Sequence, residues 1–266
     1  MGDEAGALEQ ISFLTRSNHR IRILTGLLTA GSLTRREFRE RLDASRSTVT
    51  RTLSALEERD LVVRTGDEYR LTPSGTIIAD AVDDLVATVE LTDELSTFIE
   101  WFPYSEYDIA LEHFREAEIT ASTDPDPYAP SRKHAAAIRV ASSYRMMLSS
   151  IDLQLVRSVG DNVEAGELEL ELLVPPSMEE TISTGEFAST LGSQIEAGGM
   201  TVYVTDKPVP FYLGLSGDRD VQIGVEDDEG FPRALLETGH EPLCEWAEGV
   251  YAEYRETARE KPRSEF

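Results

Sequence analysis

The 266 residues predict an α/β protein in two parts, a small helical N-terminal domain closed by a hairpin and a larger C-terminal domain with a mixed sheet. Three observations carry that expectation. Two short amphipathic segments and a Gly-centred pair of β-prone runs follow one another within residues 34–70. A long helical pattern over 76–102 stops before Pro103. Beyond it, runs of β-branched and aromatic residues alternate with helical patterns. The expected division is 1–75, a linking or dimerising helix over 76–102, and an α/β domain over 103–266.

The elements follow from their ends. Ile21, Ile23, Leu24, Leu27 and Leu28 form a helical stripe that ends before Gly31. Thr34 with Glu37 three residues on is a capping box, because hydroxyl and carboxylate satisfy two otherwise orphaned backbone amides. A helix therefore starts at Arg35, with Phe38 and Leu42 on one face and Arg35, Arg36, Arg39 and Arg41 elsewhere. Asp43 and Ala44 make a turn. Ser45 or Ser47 caps a further helix whose apolar set is Val49, Leu53 and Leu56, and whose other face carries Arg46, Ser47, Thr48, Thr50 and Arg51. Leu61 to Val63, then Gly66-Asp67, then Tyr69 to Leu71 read as a hairpin.

Helix, turn, capped polar helix and Gly hairpin in this order make a winged helix-turn-helix. A helix start bearing Arg, Ser and Thr suits the major groove, where Arg bonds guanine edges and hydroxyls and amides bind phosphate. Arg64 and Arg70 flank the wing tip, in reach of backbone or minor groove. The expected DNA contacts are Arg35, Arg36, Arg46, Ser47, Thr48, Thr50, Arg51, Arg64 and Arg70. Each piece alone reads equally as a solvated helix face or a plain cap; the conjunction is specific.

Charge sharpens this reading. The net charge of −25 argues by itself against a polyanionic partner. Yet residues 14–64 hold eleven Arg against six acidic residues, while residues 76–266 hold 13 basic and 39 acidic side chains. One end is built to approach phosphate and the rest repels it. Only three of 25 basic residues are lysine, Lys133, Lys207 and Lys261. A carboxylate excess with few lysines suits a cytosol at molar salt, where screening acts within about 3 Å, and points to an extremely halophilic archaeon.

One cysteine, Cys244, excludes an intramolecular disulfide, and His19, His113, His134 and His240 lack metal-ligand spacing, so no metal and no cofactor are expected. There is no export signal and no apolar run of membrane length, so a cytoplasmic protein without a membrane partner is expected.

After Thr72-Pro73-Ser74-Gly75, Ile77, Ile78, Ala81, Val82, Leu85, Val86, Val89, Leu91, Leu95, Phe98 and Ile99 make a helix too apolar for free solvent. It is either a connector packed in its own chain or a dimer interface; paired half-sites in DNA readers favour a homodimer. Strands are expected at 117–122, 168–174, 200–204, 211–215, 221–225 and 234–237. Helices are expected at 132–148, 179–183, 186–197 and 243–259.

YRLTPSG before a long helix, together with TDPDPYAPSRKH, IEAGGMTVYVTDKPVPFYLGLSGDRDVQIGV and DDEGFPRALLETG, resembles the haloarchaeal winged-helix regulators whose second part is similar to the middle domain of a methanogenesis regulator. The resemblance spans most of the chain. It implies a TrmB-like transcription factor with a phospholipase D-like, non-catalytic C-terminal domain for effector sensing or dimerisation. Catalytic members of that superfamily need His-x-Lys pairs; here Lys133-His134 has the wrong order and spacing, so no catalytic residue and no enzyme is expected.

An effector, in this reading a sugar or sugar phosphate, is expected where a Pro-rich loop ends at a helix start, at Thr123, Arg132, Lys133 and His134, with Arg157 and Lys207 as secondary candidates. Ordinary loop chemistry and ion pairing explain the same residues without a ligand. Three functions remain: a metabolite-sensing regulator, a constitutive regulator whose acidic domain only dimerises, and a phosphodiester-acting enzyme that uses the winged helix to hold proteins.

Overall fold

The computed structural model describes residues 4–217 and 220–266. The chain divides into two compact units, residues 1–90 and 91–266.

The first unit opens with helices α1 (Glu4–Thr15) and α2 (Asn18–Ala30). Gly31, at φ +72°, ends α2 and returns its N–H to the Leu27 carbonyl. Next come strand β1 (Leu33–Thr34), helices α3 (Arg35–Leu42) and α4 (Arg46–Glu57), and strands β2 (Val62–Thr65) and β3 (Glu68–Leu71). The capping box at Thr34 is present on both sides, and the Thr34 N–H and hydroxyl hold the Glu37 carboxyl below its usual range. Ser45, not Ser47, caps α4 through the Thr48 amide. Between α3 and α4, Asp43 adopts the left-handed conformation that a short polar side chain tolerates. The three strands form an antiparallel sheet in the order β1-β3-β2, its hairpin turning at Gly66 with φ +66°.

Ile23, Leu24, Leu53 and Leu56 close the core from the helices, and Tyr69 enters it from the hairpin, edge-on to Phe38 at 6.4 Å between centroids. Such a pair adds about 0.5–1.5 kcal/mol beyond its buried area. The LTPSG phrase locks the hairpin to the helix that follows. Thr72 donates its hydroxyl to the Asp60 carbonyl and accepts the Gly75 amide, which caps helix α5 (Pro73–Glu94). Gly75 is required there, since a Cβ would sit 1.8 Å from the Leu61 carbonyl oxygen.

The second unit contains helix α6 (Ser96–Ile99), β4 (Glu118–Ala121), α7 (Ala129–Val140), β5 (Ser143–Met147), α8 (Leu153–Glu164), β6 (Glu169–Val174) and α9 (Glu179–Ile182). It continues with α10 (Gly185–Glu196), β7 (Met200–Val204), β8 (Tyr212–Ser216), β9 (Val221–Glu226), β10 (Pro232–Thr238), α11 (Glu241–Thr257) and β11 (Arg259–Glu260). Eight strands form one sheet in the order β11-β7-β6-β5-β8-β9-β10-β4. β5, β6 and β7 are parallel, linked by crossovers through α8 and α10, and the other pairings are antiparallel. The expected mixed sheet is therefore present. Alternate side chains face opposite layers: Met147, Leu173 and Leu213 pack on the side of α11, while Met146, Leu172 and Tyr212 pack with Ile138 of α7 and Val156 of α8.

Two expectations change. The helix read over 132–148 ends at Val140, and its second half is the strand β5. Ala137, Ala141, Tyr144 and Leu148 share helical spacing, but Ser142-Ser143 interrupt it, and burial on both faces makes 143–147 a central strand. Helix α8 was not anticipated at all, although it supplies the crossover that makes β5 and β6 parallel.

Gly75→Ala is expected to destabilise the first unit by at least about 2 kcal/mol, because the clash is with backbone that cannot swing aside; denaturant unfolding in molar KCl measures it.

Candidate nucleic-acid interface and ligand cavity

In the first unit, α4 turns Val49, Leu53 and Leu56 into the core and leaves Arg46, Ser47 and Arg51 exposed, with Thr48 and Thr50 half-buried. The Ser45 hydroxyl lies 2.8 Å from that of Ser47 and 2.9 Å from that of Thr48, so three hydroxyls gather at the positive end of the helix dipole. Among the described residues neither Arg46 nor Arg51 has a carboxylate within ion-pair reach. The other expected contacts are less free. Arg36 pairs with Glu40, Arg64 with Asp67 and the Gly66 carbonyl, and Arg70 with Glu68, all in solvent, where such pairs are weak and readily exchanged. Arg35 is half-buried, its guanidinium 5.4 Å over the Tyr69 ring, which makes it a support of the wing as well as a charge.

The sequence reading passed over a second cationic group. Arg20 and Arg59 both lie over the Phe13 ring, at 3.9 and 3.6 Å from its centroid. Burial, and then repulsion from Arg59, Arg16 and Arg51, holds the Arg20 guanidinium below its ordinary pKa. Two arginines stacked on one ring, with Arg16 and Arg51 near enough to repel Arg20, make a local positive field. The signal in the sequence was only the excess of arginine over residues 14–64.

The second unit holds a cavity of about 590 Å³ at the carboxyl end of β5, where the parallel and antiparallel parts of the sheet meet. Its sides are α7, the 148–152 loop with the start of α8, and the β9–β10 hairpin. Leu148, Ile151, Leu155, Val225 and Leu235 make the walls apolar, and Tyr128 and Phe231 stand exposed at the mouth. Glu226, in the hairpin, accepts hydrogen bonds from Ser149 (3.1 Å) and Ser150 (2.5 Å).

Behind the inner wall lies a buried polar chain. Gln222 sends its amide N–H to Glu237 (2.5 Å), whose other oxygen faces Lys133 at 3.3 Å. The Gln222 carbonyl oxygen accepts from Tyr144 (2.9 Å) and meets His134 Nδ1 at 3.1 Å. Tyr144 and Tyr212 share a hydrogen bond of 2.9 Å, and the Tyr212 ring lies 4.3 Å from that of His134. Gly214 leaves room for the two phenols, since a Cβ would come within 2.0 and 2.3 Å of their oxygens. Burial pushes both tyrosines upward and pulls His134 down to about 4, partly opposed by the Gln222 bond.

Of the expected effector residues, Arg132 and His134 line this cavity. Arg132 is tied to Asp126, and Thr123 stands exposed in the preceding loop. Lys133 points to the far side, to Glu118 and Glu237. Arg157 pairs with Glu186 and Lys207 with Glu253, neither on the cavity wall. Ser149, Ser150 and Phe231 come together from loops, and Glu226 from the end of β9, in an arrangement that sequence periodicity does not mark.

A family model for the HVO_A0261 N-terminal domain matches residues 8–94, and one for the middle domain of the methanogenesis regulatory protein FilR1 matches residues 127–257. No curated protein matches the chain. Among solved structures, TrmBL2, described as an archaeal chromatin protein with a novel mode of DNA binding, is similar at 16% identity and TM-score 0.43, covering 97% of this chain and all of its own. The phospholipase D family member Nuc from Salmonella typhimurium aligns at 13% identity and TM-score 0.43, over 55% of this chain and 99% of its own. NucT from Helicobacter pylori aligns at 14% and 0.42, over 55% and 99%.

His134 is neutral when buried and takes a proton more readily once unfolded, so its contribution to stability is complete above pH 6.5 and is lost as pH falls from 6.5 toward 4. His134→Gln is expected to remove about 3 kcal/mol of that fall, read as the wild-type minus variant difference in unfolding free energy between pH 7.5 and 4.

Proposed function

We propose that this chain, a TrmB-like regulator by both of its family domains, is a sequence-specific transcriptional regulator of metabolic genes that reads double-stranded DNA through α4 and its wing. The observation that carries the proposal is the exposed α4 face, where Arg46 and Arg51 have no carboxylate partner among the described residues and stand beside three clustered hydroxyls on the arginine-rich end of an acidic chain. At molar salt counterion release adds little, so base-edge contacts supply an unusual share of affinity. The second unit serves as sensor: its cavity is of metabolite size, and the reading is a small effector, a sugar or a sugar phosphate. No His-x-Lys pair occurs in the sequence, which supports a non-enzymatic role. No helix among the described residues is long and apolar enough to cross a membrane, and the acidic, lysine-poor composition fits the cytoplasm of a halophilic archaeon.

The regulator acts as a homodimer in this proposal. Ile77, Leu85 and Val89 lie at four-residue multiples on α5 and are 70, 54 and 53% exposed, with Leu8 and Ile11 of α1 also open to solvent. A second copy related by a two-fold axis covers such a stripe and gives two α4 helices for two half-sites.

Arg46→Ala and Arg51→Ala are expected to weaken operator binding by about 1–3 kcal/mol and to relax sequence preference, while Arg64→Ala weakens binding evenly across sequences. Chromatin immunoprecipitation supplies the operator and gel-shift titration in high salt the affinities; three unchanged footprints would remove α4 as the reader. Leu85→Glu with Val89→Glu is expected to yield a monomer in multi-angle light scattering, and a wild-type chain that is already monomeric refutes the two-fold arrangement.

A further inference from the structure

A pin between helices does not account for the arginines gathered at Phe13. That residue is buried near the end of α1, and its ring carries two guanidiniums, Arg20 of α2 and Arg59 of the turn after α4. Arg20 also donates to the Phe13 carbonyl, which fixes it in place. Arg16 stands exposed between α1 and α2. Glu57, Glu58 and Asp60 are the chain neighbours of Arg59, and still no carboxylate comes within ion-pair reach of Arg16, Arg20 or Arg59 among the described residues. The charges set against Arg20 are instead Arg59, Arg16 and Arg51, the last on the exposed face of α4. One stacked guanidinium is enough to tie α1 to its neighbours; a second, with an exposed third beside it, adds repulsion that one nearby acid would remove.

We propose that Arg16, Arg20 and Arg59 form a seat for backbone phosphates of double-stranded DNA, beside the groove that α4 reads. It rests on the DNA reading above and adds to it a surface built by the α1–α2 junction and the turn after α4. A guanidinium fork matches phosphate oxygens, and two forks stacked on one ring have already given up much of their rotamer freedom. An anion between them turns mutual repulsion into attraction. At molar salt attraction beyond about 3 Å is screened, so a backbone contact persists only where charges are placed in advance to touch it. The occupant is duplex DNA because Arg51 belongs both to this group and to the face of α4.

The test titrates the full chain, in KCl from about 0.5 to 2 M, against two duplexes of one length: one carries the site recovered by chromatin immunoprecipitation, the other that site scrambled. Arg16→Gln with Arg59→Gln is expected to weaken both by the same factor, at least about tenfold, and to lower the slope of log affinity against log salt by about two. Arg16→Gln alone is expected to weaken both while its melting temperature holds or rises, because a like charge leaves the group; a structural pin predicts a lower melting temperature at unchanged slope. Arg115→Gln, the same change of charge in the second unit, is expected to bind as the wild type does. Unchanged affinity and slope in the double variant overturn the seat, and the reading by α4 then stands if Arg46→Ala still narrows the gap between the duplexes. A loss confined to the site-bearing duplex, or an equal loss in Arg115→Gln, overturns it as well. If the wild type binds neither duplex, the DNA reading falls and the seat with it.

Discussion

Gln222 is the constraint around which the second unit is arranged. Its carboxamide is buried on β9, and a buried amide without partners costs about 1–3 kcal/mol per unmet group. Each end is met by a different element: β10 through Glu237, β5 through Tyr144, and α7 through His134. One side chain therefore ties together the neighbouring strand β10, the strand β5 beyond β8, and a helix laid across them. Gly214 on β8 exists in the same service, since any side chain there would collide with the tyrosine pair that completes the chain of bonds. Gln222 is met at both ends, and an inner wall so tied is what allows a nearby cavity to hold a shape.

The first unit solves the opposite problem. It concentrates like charge where the remainder of the molecule would repel DNA, and must do so without falling apart. Aromatic faces do part of the work, with Phe13 beneath Arg20 and Arg59 and Tyr69 beneath Arg35. Acidic partners are kept to the edges of the surface, at Glu40, Asp67 and Glu68, and away from Arg46 and Arg51. The division of charge along the sequence is thus repeated, at finer grain, within the domain.

Much of the N-terminal unit was legible in the sequence because its signals are local. A capping box, a hydroxyl cap and a Gly turn each act over four residues, and Thr34, Ser45 and Gly66 all stand where their chemistry requires. The C-terminal unit was legible in class but not in detail. Whether 143–147 continues a helix or starts a strand depends on what covers it, and that is decided by β6 and β8, both distant in sequence. The cavity was half visible: Arg132 and His134 follow from the loop-to-helix pattern, whereas Ser149, Ser150 and Glu226 are neighbours only through the sheet. His134 was read only as an effector contact at a helix start, and its bond to Gln222, 88 positions away, has no signal in the local sequence.

The scarcity of lysine has a consequence for regulation by chemistry on the protein itself. All three lysines belong to the second unit, and each is engaged with a carboxylate: Lys133 with Glu118 and Glu237, Lys207 with Glu253, and Lys261 with Glu179. In the first unit arginine takes the place of lysine throughout. Acyl transfer to side-chain amines, a widespread way of loosening proteins from DNA, finds no lysine in residues 1–90. Modification of the first unit would have to proceed through other chemistry, and labels directed at side-chain amines would report on the second unit alone.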